Sequence, residues 1–350
     1  MRVFPLLHSA ACAFAMIAAA TALPAAAQTP PDHAALAERT LGSHIFPGVA
    51  RFSDAADALA AAADCSASDP AQVLRAPWGD AFLAWTAISH LQLGPIEEEG
   101  RTLSISLWPD SRGFTRRTVE RLVAEEDPIA DDPPGYADVS VAGRGLMALH
   151  HLIYVSDQPL AGYRCRLATT IAIDLANTAQ TVESQWQDPW AGYFRNPGQE
   201  GNPIFLAPEE ATRELFQSMM TGFQILIEQR LSLPLGTFEK PRPKRAEAYA
   251  SGASLDAIKA SLGGIEELTR TAFFPTVDEE SQRAMGAAFE RAKEVAGRVD
   301  PPLTDAVSDP AKRIRVEALR IAVVDLRERV GSILGPRLDV SIGFNSMDGD

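Results

Sequence analysis

The sequence predicts an all-α protein built from two helical bundles, and three observations lead there. Apolar residues recur at three- and four-residue steps through most of the 350 residues, the spacing of one helix face. Alternation of apolar and polar residues, the mark of a half-buried strand, is missing; "RTLSISLWP" (101–109) comes nearest and is short. A Gly-, Pro- and Asn-rich stretch, "QDPWAGYFRNPGQEGNPIFLAP" (187–208), divides the chain into halves of ordinary domain size. Helices joined by short connections pack as antiparallel bundles. We therefore expect a signal peptide over 1–27, an N-terminal bundle over 28–200 and a C-terminal bundle over 201–350.

The first segment carries Arg2, an apolar run, and "PAAAQ", a small-x-small pattern that places cleavage after Ala27. Cys12 lies within the apolar run and not behind a lipobox, so a lipid anchor is not expected. No later stretch reaches about 18 uninterrupted apolar residues. The expectation is a mature protein exported to a bacterial periplasm and soluble there.

Helices follow in order. "FSDAADALAAAADC" (52–65) has Ser53 or Asp54 as a cap candidate before an alanine-leucine face. "PAQVLRAPWGDAFLAWTAISHLQLG" (70–94) keeps an apolar stripe, and "AEEDPIADDPPGYADVS" (124–140) interrupts as an acidic, proline-rich loop. "GRGLMALHHLIY" (143–154) is an apolar helical segment holding two of the chain's six histidines. "PEEATRELFQSMMTGFQILIEQRLS" (208–232) opens on Pro-Glu-Glu, a favourable first turn. Further helices are expected over 254–273, 278–299 and 309–334, with "KPRPKR" (240–245) as a solvated connector.

Composition excludes some functions. Without Arg2 the mature chain has 31 basic against 46 acidic residues, a net charge of −15. A nucleic-acid partner needs a clustered basic surface, so none is expected. Cys65 and Cys165 are the cysteines left after cleavage; in an oxidising compartment they read as one disulfide, the alternative being two buried thiols.

Several separated stretches resemble the imelysin-like family. They are "FSDAADALAAAADC" with "AWTAISHLQLGPI", the Trp-Pro turn "SLWPD" (106–110), "RGLMALHHLIY", the Ser-x-x-Ser-Leu segment in "AYASGASLDAIKASLGGIEEL" (248–268), and the closing "GFNSMDGD" (343–350). The resemblance implies an all-α fold of two bundles in an exported bacterial protein often tied to iron acquisition. The family was first described as metallopeptidases, and the resemblance also implies a Gly-x-His-x-x-Glu signature. Placing Gly145 on the signature glycine puts Met147 at the His position and His150 at the Glu position.

Residues three apart share a helix face, so Met147 and His150 converge, while His151 is rotated about 100° away. A His with a thioether is a soft donor pair, suited to copper or haem iron more than to hydrolytic zinc. Against that stands a packed reading: Met fills cores, and a His on an apolar face is commonly a hydrogen-bonded interior residue. His44, His90, Asp348 and Asp350 are weaker candidates, and "IEEEG" (96–100) reads as a solvated face. No Gly-x-Ser-x-Gly elbow or His-Glu-x-x-His occurs. The expected function is a non-enzymatic periplasmic component linked to acquisition of iron or another metal, the alternative being a metal-dependent peptidase. Iron, haem or copper is the candidate ligand, none of them required by the sequence, and another cell-envelope protein is the candidate partner.

Overall fold

The structure, a computed structural model, describes residues 31–339. The expected signal peptide, Asp348 and Asp350 lie outside the described residues. No strand occurs among the described residues, and the elements are helices throughout.

Asp32 caps the first helix, accepting from the Ala35 N–H at 2.9 Å. This helix, α1 (His33–Thr40), passes through a wide π-turn at Leu41–Ile45 into α2 (Phe46–Ala61). The start expected at Ser53 or Asp54 is therefore mid-helix, and Ser53 is buried. Pro47, which has no N–H to give, is the second residue of α2, just past the wide turn, where a missing N–H is tolerated. Asp69 caps α3 (Pro70–Ile88) at Gln72.

The strand-like stretch 101–109 forms α4 (Arg101–Ile105) and then an extended segment with a cis Trp108–Pro109 bond. Among the described residues no neighbouring strand exists to pair with it. Arg101 is instead buried and held by Glu98, Glu99, Gln185 and the Pro95 carbonyl, so part of the acidic run 96–100 neutralises a buried cation. The half continues with α5 (Phe114–Glu125), α6 (Gly145–His150), α7 (Tyr163–Gln185) and α8 (Ala191–Arg195). Trp190, Phe194 and Phe205 of the 187–208 stretch are buried.

The second half contains α9 (Glu210–Gln224), which runs through a π-turn (Ile225–Ser232) to α10 (Leu233–Leu235). It continues with α11 (Ser254–Leu268), α12 (Glu279–Gly297), α13 (Leu303–Ser308) and α14 (Pro310–Arg337). In the first half α2 packs on α3 and α7; in the second α12 packs on α14, and α3 meets α11 between the halves. Close approach there depends on glycine: a Cβ on Gly264 would overlap the Ala87 carbonyl oxygen, and one on Gly222 would lie 2.5 Å from the His90 Cβ.

Cys65 and Cys165 are disulfide-bonded, with Cα atoms 5.7 Å apart, linking the segment after α2 to the start of α7. Closing a loop of 100 residues stabilises by about 4–5 kcal/mol in the chain-entropy treatment. Among the described residues no helix is long and apolar enough to cross a membrane.

Gly145 starts α6 at φ +65°, and a Cβ there would overlap the carbonyl oxygens of Ser104 and Ile105 in α4. Gly145→Ala should therefore lower unfolding free energy by at least about 2 kcal/mol. Gly263→Ala, inside α11 with open space around it, should be neutral or stabilising by about 0.5–1 kcal/mol. Urea unfolding midpoints measure both, and equal effects would contradict the assignment.

Candidate functional site

Three anchors set the start of the signature helix. The Tyr136 hydroxyl donates to the Gly143 carbonyl at 2.9 Å, and Trp78 Nε1 donates to the Leu146 carbonyl at 3.0 Å. Between them Arg144 grips Asp174 through two bonds of 2.9 and 2.8 Å. The short α6 is thus tied to α3, α7 and the 124–140 loop, and its side chains are buried from Gly145 to His150. At His151 the helix widens into a π-turn, His151–Val155.

Beside this helix is a cavity of about 190 Å³ with three walls. Met147, His150, His151 and Val155 form one. The extended segment Leu107–Asp110 with Thr115 and Arg116 of α5 forms the second. The third, from the other half of the chain, comprises Lys244, Arg245, Ala246, Ala248 and Tyr249. The basic connector is therefore not only solvated: Lys244 and Arg245 are exposed but line the cavity.

His150 is 5 % exposed and sits among aromatic rings, its centroid 5.3 Å from Trp78, 5.4 Å from Tyr154 and 6.1 Å from Tyr249. Burial pushes its pKa down to about 4, against a hydrogen bond to the Ala248 backbone that works the other way. Its Nε2 is buried with no hydrogen-bond partner. His151 borders the same cavity, but its Nε2 lies 3.6 Å from Glu120, and burial lowers its pKa while Glu120 opposes that shift. Asp110 is already engaged: burial alone would raise its pKa, but bonds from the Phe114 and Thr115 N–H groups hold it low.

His44 and His90 come together in a separate place. His44, inside the first π-turn, is fully buried with Nε2 3.0 Å from the His90 Nε2 and Nδ1 3.2 Å from Glu267. Burial holds His90 neutral, its pKa well below the ordinary value. Neither residue lines the cavity of His150.

As a metal site, the signature helix offers His150 Nε2 and the Met147 thioether. Among the described residues no group of three or more His, Cys, Asp or Glu side chains could hold a metal ion. A hydrolytic centre needs about three protein ligands, an open position and a neighbouring base. The residues present do not fit one. Sequence reading missed Trp108, Arg116, Lys244, Arg245 and Tyr249 as cavity residues; a basic run in an acidic chain, close before the Ser-x-x-Ser segment, was the available signal.

A histidine held neutral by the fold makes stability depend on pH. The unfolded chain takes up a proton below about pH 6.5 that folded His150 refuses until about pH 4. Its contribution is fully present above the higher value and is lost as pH falls towards the lower. Between about pH 5.5 and 4.5, the fall in unfolding free energy for His150→Phe should be shallower by about 1.4 kcal/mol per pH unit. Parallel curves for variant and parent would contradict a neutral buried His150.

The imelysin family profile matches residues 45–330. No curated protein matches the chain. Among solved structures, an imelysin-like protein from Psychrobacter arcticum 273-4 superimposes with a TM-score of 0.72 at 18% identity, covering 89% of this chain and 97% of that one. A protein from Parabacteroides distasonis ATCC 8503, named "putative iron-regulated protein A precursor", gives 0.73 at 13% identity, covering 90% and 97%. Those likenesses establish the shared fold. With the profile spanning most of its length and the all-helical architecture in place, this chain belongs to the imelysin family.

Proposed function

We propose that this protein is an exported, non-enzymatic binding component of the cell envelope, linked to the handling of iron or another metal, and that the cavity beside α6 is where it binds. The observation that carries this reading is the state of the signature helix. Its two polar positions hold Met147 and His150, and His150, with one imidazole nitrogen unpaired, lines a cavity whose carboxylate, Asp110, is committed to the start of α5. A binding pocket needs shape and a few polar groups, which are here; a hydrolase also needs a converging ligand set and a base.

Export is supported by the signal-like N-terminal sequence and by the Cys65–Cys165 disulfide, a bond that persists in oxidising compartments such as the periplasm. The link to iron is supported by membership of the imelysin family and by the iron regulation in the name of the Parabacteroides distasonis protein.

Incubation of the pure mature protein with an unstructured substrate such as casein, with added zinc or iron and with or without a chelator, tests the reading. No cleavage is expected above that of a blank preparation. Chelator-sensitive cleavage that His150→Ala abolishes without unfolding the protein would sink the proposal.

A further inference from the structure

The charge around the cavity runs against the charge of the chain. The sequence carries a formal net charge of −14, yet the cavity is lined by Arg116, Lys244 and Arg245 against the single carboxylate of Asp110. That carboxylate accepts the Phe114 and Thr115 N–H groups at 2.9 and 2.8 Å and so faces the helix start. Arg116 shares its charge with Glu120 at 3.2 Å. Among the described residues Lys244 and Arg245 make no ion pair, although acidic side chains are abundant elsewhere on the surface.

The inner wall adds a second, independent feature. His150 lines the same cavity and its Nε2 is buried without a partner, so a polar group there has its hydrogen-bonding capacity unused. Burying such a nitrogen without a partner is unfavourable unless a ligand or water completes it. Trp108 and Tyr249 line the same cavity with ring surface that suits a compact carbon skeleton. Lys and Arg side chains at the rim with a hydrogen-bonding nitrogen at the base are the complement of an oxyanion, since charge-assisted bonds to carboxylate or phosphate are the strong ones.

We infer that the cavity takes a small polyanion bearing carboxylate or phosphate groups, its charges met by Lys244, Arg245 and Arg116 and one polar group of its body by His150 Nε2. This rests on the proposal that the cavity is the binding site and names the chemistry of its ligand. A metal would then arrive as cargo inside an anionic chelate, without side-chain ligation by this helix. A volume of about 190 Å³ limits the bound part to a compact molecule of the size of a tricarboxylate.

Calorimetric titration of the mature protein at low ionic strength with citrate, with ferric citrate and with inorganic phosphate tests the inference. One site per chain is expected for at least one of these anions. Affinity should fall about tenfold or more in Lys244→Ala/Arg245→Ala and again on adding salt. Both residues are exposed, so the variant should keep its melting temperature. Arg283→Ala/Arg298→Ala, which removes exposed cations from α12 and the residue after it, should leave affinity unchanged. Preference for citrate over phosphate assigns carboxylates, and the reverse assigns phosphates. Absence of binding by all three, or equal binding by the Lys244/Arg245 variant, overturns the ligand class. Neither outcome touches the non-hydrolytic reading, which fails separately, by cleavage of casein.

Discussion

The buried ion pair between Arg230 and Glu247 anchors the wall of the site that faces the signature helix. Arg230 Nε donates to Glu247 at 2.7 Å, and both side chains are about 5 % exposed or less. Two charges withdrawn from water are tolerated only when their remaining bonds are met. Here Arg230 also donates to Ser261 of α11 at 3.0 Å and to Ser89 at the end of α3 at 3.3 Å, so one guanidinium joins three elements. Glu247 is pinned from its backbone as well, its carbonyl accepting from Ser254 at 2.6 Å, while Ser251 bonds the Ala248 carbonyl at 2.8 Å. The family-like Ser-x-x-Ser segment thus acts through geometry: its hydroxyls fix the turn that sets Lys244, Arg245 and Tyr249 against the signature helix.

The signature helix is held by the same economy of close contacts. Gly145 lets α4 approach α6 where no other residue could, and the Arg144–Asp174 pair fixes the helix start. Beyond His150 the chain enters a π-turn, in which each residue advances less than the α-helical 100° around the axis. His150 and His151 therefore border one cavity while their Nε2 atoms meet different surroundings, the one unpaired and the other beside Glu120. Similar wide turns carry His44 and the entry into the Asp188–Pro189 segment, so this widening recurs where helices here must absorb a proline or present a histidine.

Much of the fold was legible because it arises from local pattern. The apolar stripes of 70–94 and 309–334 became α3 and α14, and two cysteines in a chain with a signal-like start became a disulfide. Other features depended on partners that no local pattern reveals. Residues 101–109 alternate like a strand, yet Arg101 needed the acids before it, and no second strand was available among the described residues. The first helix was read only from 52–65, whereas α1 already starts after Asp32 and a π-turn carries the chain from it into α2. At the site, the helix bearing Met147 and His150 was readable from spacing. The facing wall was not, because it reaches the cavity through the Arg230–Glu247 pair, a contact between side chains that the sequence does not announce.

The central claim is that His150 is a neutral, packed imidazole bordering a binding cavity and not the anchor of a resident metal. Equilibrium dialysis of the mature protein against zinc, ferric and cuprous ions, beside His150→Ala, tests it most directly. The account predicts no site that takes one ion per chain tighter than about 1 µM and depends on His150. Stoichiometric uptake by the parent protein, lost in a folded His150→Ala variant, would contradict it.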